Sequence, residues 1–190
     1  RHILLLIKDI VTQKSPKHNY IYTFNYNTEY SQLSKLESRQ IFGEELTNKF
    51  LFSNIAIDPS ISPFIKSKFD IALASEDFPE LTKNIRKRKI HSEGFKVEYM
   101  VLAGDSPPYT ERLNKLKDVG YSIEGEPDYY SPTITYAICH YDNCWYFGVL
   151  TKHNADWLKH MKKPCSFSNS LPMNIAKTLV GIASKGNKST

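Results

Sequence analysis

Gly94-Phe-Lys-Val-Glu-Tyr-Met-Val-Leu102, followed by Thr133-Ile-Thr-Tyr-Ala-Ile-Cys139 and Cys144-Trp-Tyr-Phe-Gly-Val-Leu150, decides the fold. The first run alternates apolar and polar side chains, the pattern of a strand buried on one face. The other two are rich in β-branched and aromatic residues, and the turn-forming Tyr141-Asp-Asn143 separates them, which predicts a hairpin. Between them, Thr110 to Lys117 sets Leu113 and Leu116 inward on a short helix, followed by Val119-Gly120-Tyr-Ser-Ile123. Strand–helix–strand units mixed with a late hairpin predict an α+β fold.

Upstream, residues 1–19 read as a short leader with a turn at Ser15-Pro16-Lys17-His18. Tyr20 to Tyr26 is an aromatic and β-branched strand signal. Leu33, Leu36, Ile41 and Phe42 predict a helix from about Glu29, with Gly43 at its end. Phe50-Leu-Phe52 and Asn54-Ile-Ala-Ile57 read as two short strands, broken by Asp58-Pro59 and Ser62-Pro63. Phe69 to Ala74 reads as a buried strand. Asp77 to Ile90 reads as a helix carrying Phe78, Leu81 and Ile85 on one face.

Downstream, Ser170 is a candidate N-cap and Pro172 suits a first helical turn, where a missing N–H costs nothing. Ile175, Ala176, Leu179, Val180, Ile182 and Ala183 then recur at the spacing of one helical face, predicting a helix from Met173 to Ala183. Gly186 stands where that helix would stop. The polar residues after it read like a cut made just before another element.

The net charge of +5 permits nucleic acid as a partner without requiring it. Three cysteines, Cys139, Cys144 and Cys165, suit a reducing cytoplasm better than secretion. Ile3 to Ile7 is too short to span a membrane and lacks the cleavage site of a signal peptide.

Several of these strings together resemble the THUMP-containing RNA methyltransferases, the branch that methylates the exocyclic amine of guanine in tRNA. The string Trp157…His160…Lys163-Pro164…Ser168…Ser170-Leu-Pro172 with its following helix resembles the segment that links the RNA-binding half to a Rossmann-like catalytic half. Phe95-Lys-Val97, Val119-Gly120-Tyr-Ser-Ile123 and Asp128…Pro132-Thr-Ile-Thr-Tyr136 are similar to the THUMP pattern, and Leu33 to Glu37 to the helix of the preceding domain. The resemblance implies three parts: a ferredoxin-like N-terminal domain over 1–66, a THUMP-like RNA-binding domain over 67–150, and over 151–190 a linker with the first helix of a Rossmann-like methyltransferase domain. It implies tRNA or another structured RNA as partner. In the intact enzyme it implies S-adenosylmethionine as cofactor, with Phe167, Ser168 and Leu171 at the edge of its pocket. The alternative is a stand-alone RNA-binding adaptor without catalytic activity, marked by an exposed apolar face on the last helix.

Lys83, Arg86, Lys87, Arg88 and Lys89 crowd the end of one helix. Cations there are favoured by the helix dipole, so a solvated face would explain them. With Arg112, Lys115 and Lys117 in the chain, the favoured reading is contact with RNA phosphates, in which each neutralised phosphate releases counterions. Asp105-Ser-Pro-Pro-Tyr109 resembles the loop with which amino methyltransferases aim oxygens at a target amine. Its place before a helix, too near the linker, reads instead as a turn in which proline fixes φ. Cys139-His140 and Cys144 have no second pair at metal spacing, so they read as structural and no metal is expected. His153, Asp156 and His160 lack a nucleophile elbow. No Gly-x-Gly-x-x-Gly or phosphate loop occurs in the sequence. The expectation is therefore a chain with no catalytic residues and no turnover by itself.

Overall fold

The computed structural model describes residues 16–103, 106–154 and 171–186. In chain order these form β1 (Tyr20–Phe24), α1 (Ser31–Phe42), β2 (Phe50–Ser53), β3 (Ile65–Ser75), α2 (Phe78–Lys87), β4 (Phe95–Tyr99), α3 (Tyr109–Gly120), β5 (Ile134–Tyr141), β6 (Cys144–Lys152) and α4 (Met173–Gly186). Single 3-10 turns lie at Thr28–Tyr30 and Pro59–Ile61. The chain divides into two compact units, one made of 20–68 with the described residues from 151 onward, the other built on 69–150.

In the first unit the strand order is β2-β1-β3, with β1 and β2 antiparallel and Tyr20 opposite Ser53. Tyr22, Phe24, Phe42, Leu46, Leu51, Phe64 and Ile65 form its core. Gly43 ends α1 in the left-handed region, φ 76°, a conformation that costs a residue with a Cβ. Two expectations are corrected here. Asn54 to Ile57 is not a strand: the buried Tyr22 hydroxyl donates to the Ile55 carbonyl at 2.8 Å and accepts from the Ile57 N–H at 2.9 Å, in place of a ladder. Leu36 is exposed, and α1 turns Ser34, Glu37, Ser38 and Phe42 inward instead. Buried Glu37 accepts a hydrogen bond from Ser62, and Ser38 donates to the Glu44 carbonyl, so these two groups are matched inside the unit, while the Ser34 hydroxyl has no partner among the described residues.

α4 packs against α1. Its inward side is centred on fully buried Thr178, with Met173 to Lys177 half-buried. Leu179, Val180 and Ala183, expected on the packed face, point to solvent, Val180 being 69% exposed. Lys177 donates to the Ser60 carbonyl at 2.7 Å, so the helix turns Lys177 and Thr178 inward rather than Leu179 and Val180. The proposed N-cap Ser170 lies outside the described residues.

In the second unit the strand order is β3-β6-β5-β4. β4 and β5 run parallel, joined through α3, and β5 and β6 form the expected antiparallel hairpin. Its turn, Asp142-Asn143, has φ of 51° and 55°. Positive φ at both central residues matches the twist of the strands, and Asp and Asn tolerate it. Leu81 and Ile85 of α2 and Val119 of α3 close over Phe95, Tyr136, Ile138 and Phe147. Gly148 of β6 lies so close to β3 that a Cβ would stand 1.9 Å from the Asp70 carbonyl oxygen. α2 begins as expected, with the Asp77 carboxylate accepting from the Glu80 N–H at 3.2 Å. It ends at Lys87, before the expected Ile90, because Arg88 caps it and Lys89 turns into the left-handed region, φ 47°.

Candidate nucleic-acid interface

The amphipathic pattern of α2 decides where its charges go. Leu81, Thr82, Asn84 and Ile85 face inward, so the intervening Lys83, Arg86 and Lys87 must face out. Arg88 and Lys89 follow in the capping turn, and all five side chains are exposed. The structure therefore brings the whole expected cluster to one helix end. Lys83 lies 3.7 Å from Glu80, one turn earlier. Partial desolvation lowers the Arg88 guanidinium from its ordinary value, which leaves it charged near neutral pH.

Arg86 is held in place. Its Nε–H donates to the Ser122 hydroxyl at 3.1 Å, and that hydroxyl donates to the Asp118 carbonyl at 2.7 Å. The bond uses one of the five guanidinium N–H groups. It also joins the end of α2 to the end of α3, whose last turn carries exposed Lys117. Sequence reasoning missed Ser122, because a lone serine after a helix carries no signal until its partners are known.

Two cations once grouped with this cluster are elsewhere. Lys115 lies over the rings of Phe78 and Trp145, at 4.7 and 4.9 Å, and 3.3 Å from Glu111. It covers the start of α2, away from the basic end. Arg112 is half-buried, with its Nε unpartnered among the described residues. Ser106-Pro-Pro108 is the turn into α3, as expected, while Asp105 lies outside the described residues.

Cys139 is buried, which raises its thiol far above the ordinary range, and Cys144 is half-buried. Among the described residues no group of His, Cys, Asp and Glu could hold a metal, and no helix is long and apolar enough to cross a membrane. The His153 ring contacts the Pro59 carbonyl at 2.9 Å, and Asp156 and His160 lie outside the described residues. Of the cofactor-pocket residues, Phe167 and Ser168 lie outside them too, and Leu171 is exposed just before α4.

An open depression of about 310 Å³ in the first unit is lined by Ala56, Ile57, Asp58, Pro59, Lys68 and Thr151. The Ser60 hydroxyl and N–H both donate to Asp58, at 2.7 and 2.8 Å, and hold its carboxyl below the ordinary range. A carboxylate beside Lys68 leaves this hollow without a clear preference for anions.

No family model and no curated protein sequence matches the chain. The structure is similar to that of PH1313 from Pyrococcus horikoshii Ot3, with a TM-score of 0.52 and 13% identity over 70% of this chain and 54% of that one. It is similar to TrmN from Thermus thermophilus, with a TM-score of 0.50 and 11% identity over 72% and 46%. A 4-thiouridine synthetase solved with RNA and bound ATP gives a TM-score of 0.49 and 14% identity over 72% and 42%. The chain thus spans about half the length of the structures it matches. PH1313 and TrmN are THUMP-domain proteins, and this chain shares their α+β fold.

Proposed function

We propose that this chain is the RNA-recognition portion of an S-adenosylmethionine-dependent tRNA or RNA guanine-amine methyltransferase, with the catalytic half outside this sequence. The observation that carries the RNA reading is the exposed run Lys83, Arg86, Lys87, Arg88 and Lys89, set on a THUMP-type fold. Of these, Lys83 alone forms an ion pair among the described residues, and that pair is loose and solvated. Such cations neutralise phosphates and read the backbone by position, while sequence or shape is read elsewhere.

The methyltransferase reading is finer and rests on the sequence resemblance of Trp157 to Pro172 and on the helix that follows. α4 forms there, over Met173–Gly186. Exposed, apolar Leu171 suits the rim of a cofactor pocket, the role proposed for it with Phe167 and Ser168. S-adenosylmethionine would supply the methyl group. The residues of this chain would hold the RNA while a guanine left its stack to be modified, as base chemistry requires.

Reversing two charges tests the RNA reading. Arg86→Glu with Arg88→Glu is expected to weaken binding of a tRNA transcript at least tenfold in low salt. The slope of log affinity against log salt should fall by about 1 to 2, since each lost phosphate contact removes roughly 0.7–0.9. Unchanged affinity and slope would overturn it. Exposed Leu179 and Val180 on α4 give the adaptor reading its support, as an apolar surface for a partner protein. The mass of the protein in its own cells separates the two. A product larger than 21.9 kDa by about a domain favours the methyltransferase, and one of 21.9 kDa the adaptor.

A further inference from the structure

Four tyrosines of the second unit stand out in solvent: Tyr109, Tyr121, Tyr129 and Tyr130. Their electrostatic surroundings differ. Tyr129 and Tyr130 ride a loop whose backbone is fixed by Asp128, which accepts from the Tyr130 and Ser131 N–H groups at 2.9 and 3.0 Å. From Glu124 to Tyr136 the chain carries carboxylates and no lysine or arginine. Tyr109 opens α3 two residues before Glu111.

Tyr121 is linked to the basic end of α2 through its neighbour Ser122. It is 82% exposed and makes no ring contact among the described residues. Its N–H donates to the carbonyl of Lys117 at 2.8 Å. The next residue is Ser122, buried and bonded to Arg86. Asp118 and Glu124 are the nearby carboxylates along the chain, and Lys117 and, through Ser122, Arg86 are the cations. The backbone under the ring is thus pinned on both sides, while the ring itself stands in water, one residue from the serine that holds Arg86.

We propose that Tyr121 is a base-stacking residue, taking the face of one unpaired nucleotide whose neighbouring phosphates lie on Arg86 and Lys117. This rests on the RNA reading above and specifies it. An aromatic ring beside a basic track suits a splayed-out base, because every base offers a π-face. A tyrosine loses little freedom in making that contact. Bases inside a duplex already stack on each other and have no face to give, so the residue selects RNA with an unpaired nucleotide over a blunt duplex.

The probes are a short oligouridylate and a blunt-ended RNA duplex of the same length, titrated against this chain. Tyr121→Ala is expected to weaken oligouridylate binding by about 5- to 100-fold, the range for loss of one stacked base. Duplex affinity and the salt slope should stay unchanged, since no charge is removed. Tyr121→Phe should retain binding, and Tyr130→Ala should bind as the unaltered chain does. Tyr121→Trp adds an independent reading, because oligouridylate should quench its indole fluorescence. Unchanged oligouridylate binding by Tyr121→Ala, an equal loss on the duplex, or an unquenched Tyr121→Trp overturns the inference. If Tyr121→Ala is silent while Arg86→Glu with Arg88→Glu weakens binding, only the stacking inference falls. If both are silent, the RNA reading falls with it.

Discussion

Replacing Ser122 with alanine separates the position of Arg86 from its charge. The Ser122 side chain is 5% exposed and makes two hydrogen bonds, one to the Asp118 carbonyl and one from Arg86. Losing the first costs about 1 kcal/mol, the typical net value of a neutral bond. Losing the second costs less, because the freed guanidinium is exposed and water takes over. A total of about 1–2 kcal/mol lowers the melting temperature by roughly 2–8 °C for a chain of this size. The effect on binding has another origin. An Arg86 no longer held must be ordered when RNA arrives, at about 0.5–1.5 kcal/mol for a long side chain. That is about 2- to 12-fold in affinity. The charge remains, so the salt slope should not move, whereas Arg86→Ala should lower it by about 0.7–0.9. Thermal melts and tRNA titrations at several salt concentrations read all three quantities. Should Ser122→Ala bind as tightly as the parent while Arg86→Ala loses affinity, the clamp has no part in recognition. A slope change as large as that of Arg86→Ala would refute the separation itself.

Two further substitutions test the frame. Gly148→Ala puts a Cβ into the backbone of Asp70 and Ala72, which cannot rotate aside as a side chain would, so β3 and β6 must separate locally. A loss of about 3 kcal/mol is expected, the upper range for overpacking; a melting temperature unchanged within roughly 2 °C contradicts this close approach. Asp58→Asn keeps an N-cap but removes the titration. Because the folded carboxyl is held below its unfolded value, its charge stabilises the fold above about pH 4, and this is lost as pH falls through the lowered folded value. The parent should therefore exceed the variant in stability at neutral pH and converge on it in acid; a gap independent of pH, followed by denaturant unfolding, removes the assigned role.

What the sequence made legible was the part written in period and turn chemistry. The hairpin over β5 and β6, the helix between β4 and β5, and the helix start at Asp77 are local signals, and each formed within a few residues of where it was read. The failures share one cause. Asn54 to Ile57 has the composition of a strand, yet its backbone bonds go to the Tyr22 hydroxyl, more than thirty residues away in sequence. α1 and α4 both carry an apolar stripe by spacing and pack together, yet Ser34, Glu37 and Thr178 are among the residues they bury, a choice that spacing does not encode. Leu36 and Val180 are the residues left outside by that choice. At the basic end of α2, the five cations were readable from the sequence, but the clamp at Ser122 depends on α2 and α3 ending side by side, which periodicity does not encode.

Those two helix ends also decide how much weight the charges bear. A helix C-terminus carries about half a negative charge, and each nearby cation gains about 0.3–1 kcal/mol from it, so some of the lysines and arginines would sit there in a protein that never met RNA. The two ends together offset about one positive charge. Glu80 offsets part of another through Lys83, and Asp118 is one more carboxylate on the α3 side. Lys83, Arg86, Lys87, Arg88, Lys89 and Lys117 exceed that demand. The excess faces water, where unbalanced like charges repel one another and destabilise the surface unless an anion arrives. Helix electrostatics alone accounts for a cation or two at each end, and a serine that spends its hydroxyl holding one arginine in place is not part of that account. A polyanion with regularly spaced phosphates meets both features, since it relieves the repulsion and uses a guanidinium already set in position.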